Sequence, residues 1–106
     1  MEEMLKLEFY VPDSHLSAVK KAVFEAGAGI LGNYDSCSWE TLGTGQFRPK
    51  EGSEPYVGEQ NVVEKIKEYK VELICPEAII EAVINALKES HPYETPAYQY
   101  WKVKIQ

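Results

Sequence analysis

"VVEKIKEYKVELICP", residues 62–76, decides how this chain folds. Its first half, through Glu68, has the propensity to begin a helix. Its second half does not allow one. Tyr69, Val71, Leu73 and Cys75 fall on one face, and Glu64, Glu68, Lys70 and Glu72 on the other. A period of two belongs to a half-buried strand. The whole stretch therefore reads as one long strand, with a bulge allowed along it. Pro76 closes it and suits the first position of a following helix.

Downstream, "EAIIEAVINALKES", residues 77–90, is the clearest helix in the chain. Ile79, Val83 and Leu87 form a stripe that Ile80 and Ile84 widen. "AYQYWKVKI", residues 97–105, is the last strand. It sets Ala97, Trp101, Val103 and Ile105 against Tyr98, Tyr100, Lys102 and Lys104. Upstream, "MLKLEFYVP" alternates from Leu5 through Leu7, Phe9 and Val11, and Pro12 ends it. In "DSHLSAVKKAVFEAGAG" Asp13 or Ser14 is a natural N-cap, and Leu16, Val19, Val23 and Ala26 share a stripe. Gly27 and Gly29 supply the freedom to close that helix.

"NYDSCSWETL", residues 33–42, reads as the second strand, with Cys37 and Trp39 on one face and Thr41 beyond. "GTGQFRPKEGSEPYVGEQN", residues 43–61, has no usable period. It holds four of the seven glycines and two of the six prolines, so it is expected to be a loop or a distorted hairpin arm.

The order is βαββαβ. Two split β-α-β units with right-handed crossovers give an α+β, ferredoxin-like plait: a four-stranded antiparallel sheet with two helices on one face. The other face is open and is expected to carry Tyr10, Tyr98 and Tyr100 among charges. Either a second molecule covers part of it or tyrosine is there because it suits strands.

A length of 106 residues implies one domain, residues 1–106. A net charge of −6 disfavours a phosphate backbone as partner, so no nucleic acid is expected. No apolar run approaches a membrane span. The acidic start "MEEMLKLEFY" argues against export and for a cytoplasmic protein. Cys37 and Cys75 show no metal-type spacing and are expected to be reduced thiols, Cys37 turned to the core if Trp39 is.

Four ordered stretches carry a family resemblance. They are "GAGILGNYDSCSW", "GTGQFRPKEGSEPYVG", "VEKIKEYKVELICP" and "HPYETPAYQYW". Together they resemble the domain inserted into bacterial Nif-three-like (Ngg-one-interacting-factor-three-like) proteins. The pattern Gly-Ala-Gly-x-x-Gly-x-Tyr, Gly-x-Phe-x-Pro, Pro-x-x-Gly and His-Pro-Tyr-Glu-x-Pro-Ala is met in order over residues 27–98. The resemblance implies a freestanding version of that insert, itself similar to the homotrimeric PII and CutA proteins. A homo-oligomer is expected, a trimer before a dimer. Full-length members carry a two-metal site on flanking halves that this chain lacks. Its only histidines are His15 and His91, so the resemblance transfers no metal-dependent hydrolase activity, and no cofactor is expected.

"HPYETPAY", residues 91–98, admits two readings. His91 is a metal ligand or general base with Glu94 as partner and Cys37 or Tyr93 nearby. Alternatively it ends a helix where its charge suits the dipole, with Pro92 stopping the helix and Glu94 accepting turn hydrogen bonds. The structural reading is preferred. In "GTGQFRP", residues 43–49, Gly43 and Gly45 permit close approach of an anion, and Arg48 can pair with phosphate or carboxylate. The Lys-Ser/Thr ending of a P-loop is missing, and a glycine bulge with Phe47 packed is the preferred alternative. "GAGILG", residues 27–32, follows a helix and so is not a dinucleotide fingerprint. Asp35 and Glu40 lie on opposite strand faces and form no acid pair.

The expected function is an oligomeric binding module without catalysis. It would capture a small molecule or a protein partner between residues 43–58 and the 91–96 turn. Gly43, Gly45, Phe47, Arg48, Tyr56, His91, Tyr93 and Glu94 are the candidate contacts. The alternative is a metal-binding protein or small metal-dependent enzyme using His91, Glu94 and His15. Docking by sheet-edge addition is a third reading.

Overall fold

In the computed structural model, which describes residues 2–105, the first strand pairs on both sides. β1 (Met4–Pro12) lies between β3 (Glu64–Pro76) and β4 (Tyr98–Val103), and β2 (Trp39–Phe47) pairs with β3 outside it. The order β2-β3-β1-β4 is antiparallel throughout. Helix α1 (Leu16–Glu25) links β1 to β2, and α2 (Ile80–Ser90) links β3 to β4. Both pack on one face, giving the expected ferredoxin-like plait. Among the described residues no helix is long and apolar enough to cross a membrane.

The odd positions of β1 and β3 build the core. Leu7, Phe9, Val11, Val71, Leu73 and Cys75 are buried against Val19, Val23, Val83 and Leu87 of the helices. Burial of each of the larger side chains contributes roughly 1.5–3 kcal/mol. β3 does extend through residues 64–76 as one strand, but no bulge breaks its register: Met4↔Pro76 runs to Pro12↔Glu68, and Trp39↔Glu72 runs to Phe47↔Glu64. Residues 64–67 project past β1 and pair only with β2, forming a two-stranded arm.

Four boundaries and two faces differ from the sequence reading. β2 begins at Trp39, six residues later than Asn33, and continues through Gly43 and Gly45 to Phe47. Asn33 instead sits in a tight turn closed by a Leu31↔Tyr34 bridge. Asp35 therefore is not on a strand with Glu40. Of the two glycines that looked like loop punctuation, Gly45 accommodates β3, since a Cβ there would meet the Glu68 carboxyl, whereas a Cβ at Gly43 would meet nothing. Neither Asp13 nor Ser14 caps α1 with its side chain; a 3-10 turn over Asp13–His15 precedes the helix. A second such turn, Glu77–Ile79, separates Pro76 from α2. Gly27 does close α1, at φ +111°, where its N–H bonds Phe24 O and the Ala28 N–H bonds Val23 O.

Two of the three tyrosines expected on the open face, Tyr98 and Tyr100, lie on the other. Tyr100 pairs with Leu7 and Tyr98 with Phe9, so both lie on the helix side, where they flank Ile80 and Ile84. The open face carries Tyr10, Trp39 and Trp101 among charges, with Lys6–Glu72 and Lys70–Glu8 ion pairs. Trp39 is 69% exposed and Cys37 half-buried, so neither is a core residue. Both strands where the expectation failed are sheet edges, and neither has a buried residue, so burial does not enforce which face their side chains take.

Candidate functional site

The turn after α2 is built around His91. Ser90 Oγ donates to Ala86 O and Leu87 O, ending the helix, and His91 leaves it in an extended conformation. His91 is 7% exposed. Its Nε2 lies 2.7 Å from Tyr10 O. A carbonyl only accepts, so Nε2 carries the proton and donates. Nδ1 is then bare and accepts the Tyr93 N–H at 3.2 Å. Burial lowers the His91 pKa from its usual value, against the opposing pull of the Tyr10 carbonyl. Both nitrogens are engaged within the protein, and the ring ties the turn to β1.

His91 thereby sets the position of Tyr93, its ring neighbour at 4.8 Å. Tyr93 Oη donates to Glu68 Oε2 at 2.7 Å. Burial first, and then the Glu68 carboxylate, push the phenol pKa well up, so Tyr93 stays protonated and a donor. Glu68 reaches it by crossing over Gly45 on the neighbouring strand.

The segment joining β2 to β3 folds back against this turn. The Glu54 N–H donates to Glu94 Oε1 at 2.9 Å. Tyr56 stands between His15 and Tyr93, with ring centroids 5.7 and 6.2 Å away. Phe47, at the tip of β2, approaches Tyr93 at 6.4 Å. Pro49 is buried, and its carbonyl accepts the Asn61 N–H at 2.6 Å.

A cleft of about 430 Å³ opens between the two segments. Phe47, Arg48, Tyr56, Tyr93 and Glu94 all line it, as do Tyr10 and Glu68. Gly43 and Gly45 do not; they line a neighbouring depression that shares Tyr10 and Glu68 with the cleft. His91 lies behind Tyr93. Sequence reading missed Glu68 as a site residue because it is one acid in an alternating strand, and only the register of β3 against β2 aims it here.

Among the described residues no three His, Cys, Asp or Glu side chains converge as a metal site. His15 Nδ1 is 2.8 Å from Ser14 Oγ.

No protein-family model matches the chain. A Mycobacterium leprae protein named GTP cyclohydrolase 1 type 2 homolog is 47% identical over 93 residues, 88% of this chain and 24% of that protein. The Bacillus cereus protein related to NIF3 superposes with a TM-score of 0.85 at 38% identity, covering 98% of this chain and 26% of that one. The chain is a homologue of one domain of the Nif-three-like proteins. It spans about a quarter of the length of the curated relatives it matches. Two further structures share the fold of this Nif-three-like domain at low identity. They are the divalent ion tolerance protein CutA1 of Ehrlichia chaffeensis (14% identity, TM-score 0.68, covering 100% of this chain and 86% of that one) and Bacillus subtilis GlnK (13%, TM-score 0.63, 95% and 85%).

Proposed function

We propose that this Nif-three-like domain is an oligomeric binding module that takes up a small molecule in the cleft between residues 47–57 and 93–97, without catalysis. The cleft itself carries the reading. Its volume is in the range of small-molecule sites, its walls are mainly apolar, and a few polar groups converge on it. Three side chains suited to acid–base work already have partners within the protein: His91 with Tyr10 and Tyr93, Glu94 with Glu54, Glu68 with Tyr93.

A homo-oligomer, a trimer before a dimer, is supported by the large apolar side chains left exposed on the outer strands, Trp39 and Leu42 on β2 and Tyr100 and Trp101 on β4. Two free thiols, Cys37 and Cys75, fit a reducing cytoplasm. Sedimentation equilibrium tests the assembly, with a trimer expected; a monomer at every concentration defeats it. A structure grown with bound ligand tests the cleft, and density seated elsewhere on the domain rejects it.

A further inference from the structure

The cleft's four charged side chains are not equivalent. The two carboxylates have donors inside the protein, Glu68 from Tyr93 Oη and Glu94 from the Glu54 N–H. The two cations, Arg48 and Lys50, enter no side-chain hydrogen bond and no ion pair among the described residues. They flank Pro49, which is buried and held through its carbonyl by Asn61 N–H, so the backbone that presents them is fixed. A guanidinium with unspent N–H donors on a held backbone suits a carboxylate or phosphate.

The wall between these cations and Glu68 is aromatic. Phe47 and Tyr56 each face Tyr93 at tilted angles of 49° and 46°, with centroids more than 6 Å apart. Tyr56 is 51% exposed at the mouth, an apolar ring with one side uncovered. Rings in this arrangement offer edges and faces to a further planar group. A cationic ligand would also suit aromatic faces. Here it would meet Arg48 and Lys50 at the rim and a Glu68 carboxylate that already accepts a hydrogen bond.

Resting on the binding function proposed above, we infer that the cleft selects a small planar aromatic molecule bearing an anionic group, its ring between Tyr56 and Phe47 and its anion on Arg48.

The test is titration of the whole chain with phenyl phosphate, inorganic phosphate, benzyl alcohol and phenyltrimethylammonium, followed by amide and aromatic NMR shifts. Phenyl phosphate is expected to move the Tyr56, Tyr93 and Arg48 signals and to bind about tenfold or more tightly than either phosphate or benzyl alcohol. Arg48→Gln is expected to lose that advantage while benzyl alcohol binds it as it binds the parent, which also shows that the variant is folded; Lys50→Gln is expected to weaken phenyl phosphate less than Arg48→Gln does, and the reverse order would overturn the placing of the anion on Arg48. If phenyltrimethylammonium or benzyl alcohol binds the cleft as tightly as phenyl phosphate, the ligand class is wrong and the binding function stands. If none of the four moves the cleft signals at millimolar concentration, both fall.

Discussion

Tyr93 Oη donates a 2.7 Å hydrogen bond to Glu68 Oε2, joining the turn after α2 to the third strand across 25 positions of sequence. Glu68 reaches Tyr93 only by lying across Gly45 of the neighbouring strand. One contact therefore fixes the cleft wall, and it depends on a residue with no side chain.

Tyr93→Phe removes the donor and leaves a half-buried carboxylate less well solvated. The expected loss is about 1–2 kcal/mol of stability, read as a lower urea midpoint at unchanged slope. An unchanged midpoint would mean that Glu68 finds another donor at no cost.

Gly45→Ala places a Cβ where the Glu68 carboxyl lies, so the carboxyl must swing away from Tyr93. The two substitutions then act on one interaction. In a double-mutant cycle Tyr93→Phe is expected to cost clearly less in the Gly45→Ala background than alone, a coupling of roughly 0.5–3 kcal/mol. Additive losses would separate the two effects.

His91 yields a pH dependence. Burial lowers its pKa in the folded state below the ordinary value of 6.5. Below pH 6.5 the unfolded chain therefore binds the proton more readily than the fold does. The His91 contribution is full above that pH, declines as pH falls beneath it, and levels off below the folded pKa. Denaturation of the parent and of His91→Gln between pH 7.5 and 5 checks this (roughly the range over which histidine titrates). The parent should lose stability relative to the variant on acidification; a constant difference would refute the lowered pKa.

The segment over the cleft is held at its centre by Glu94. Glu94→Ala is expected to speed hydrogen exchange at the Glu54 amide by about fivefold or more, the loss of one charge-assisted hydrogen bond. Glu94→Gln retains an acceptor and is expected to fall between. Equal protection in all three proteins would show that the remaining contacts, Tyr56 packing and the Asn61 N–H to Pro49 O bond among them, hold the segment.

Leu87 is fully buried beneath the sheet one turn before His91. Leu87→Ala is expected to cost about 2–5 kcal/mol by transfer and cavity terms. Thermal unfolding followed by circular dichroism measures it, and a cost below 1 kcal/mol would argue against close packing there.

The sequence by itself determined the plait. Central strands and core helices are packed against a layer on at least one side, so Phe9, Val71 and Leu87 had to repeat at the period of their element, and that period is written in the chain. It also marked the two segments that form the cleft, through their glycines, prolines and aromatic residues. Only the tertiary structure decided where β2 begins, which face Tyr98 and Tyr100 take, and what His91 does. The edge strands bury no side chain fully, so nothing enforces their alternation, and a histidine shows its role only when its partners are known. Tyr10 lies 81 positions from His91, and no local pattern records that distance being closed. Glu68 belongs with these, since strand register alone aims it across Gly45 to Tyr93.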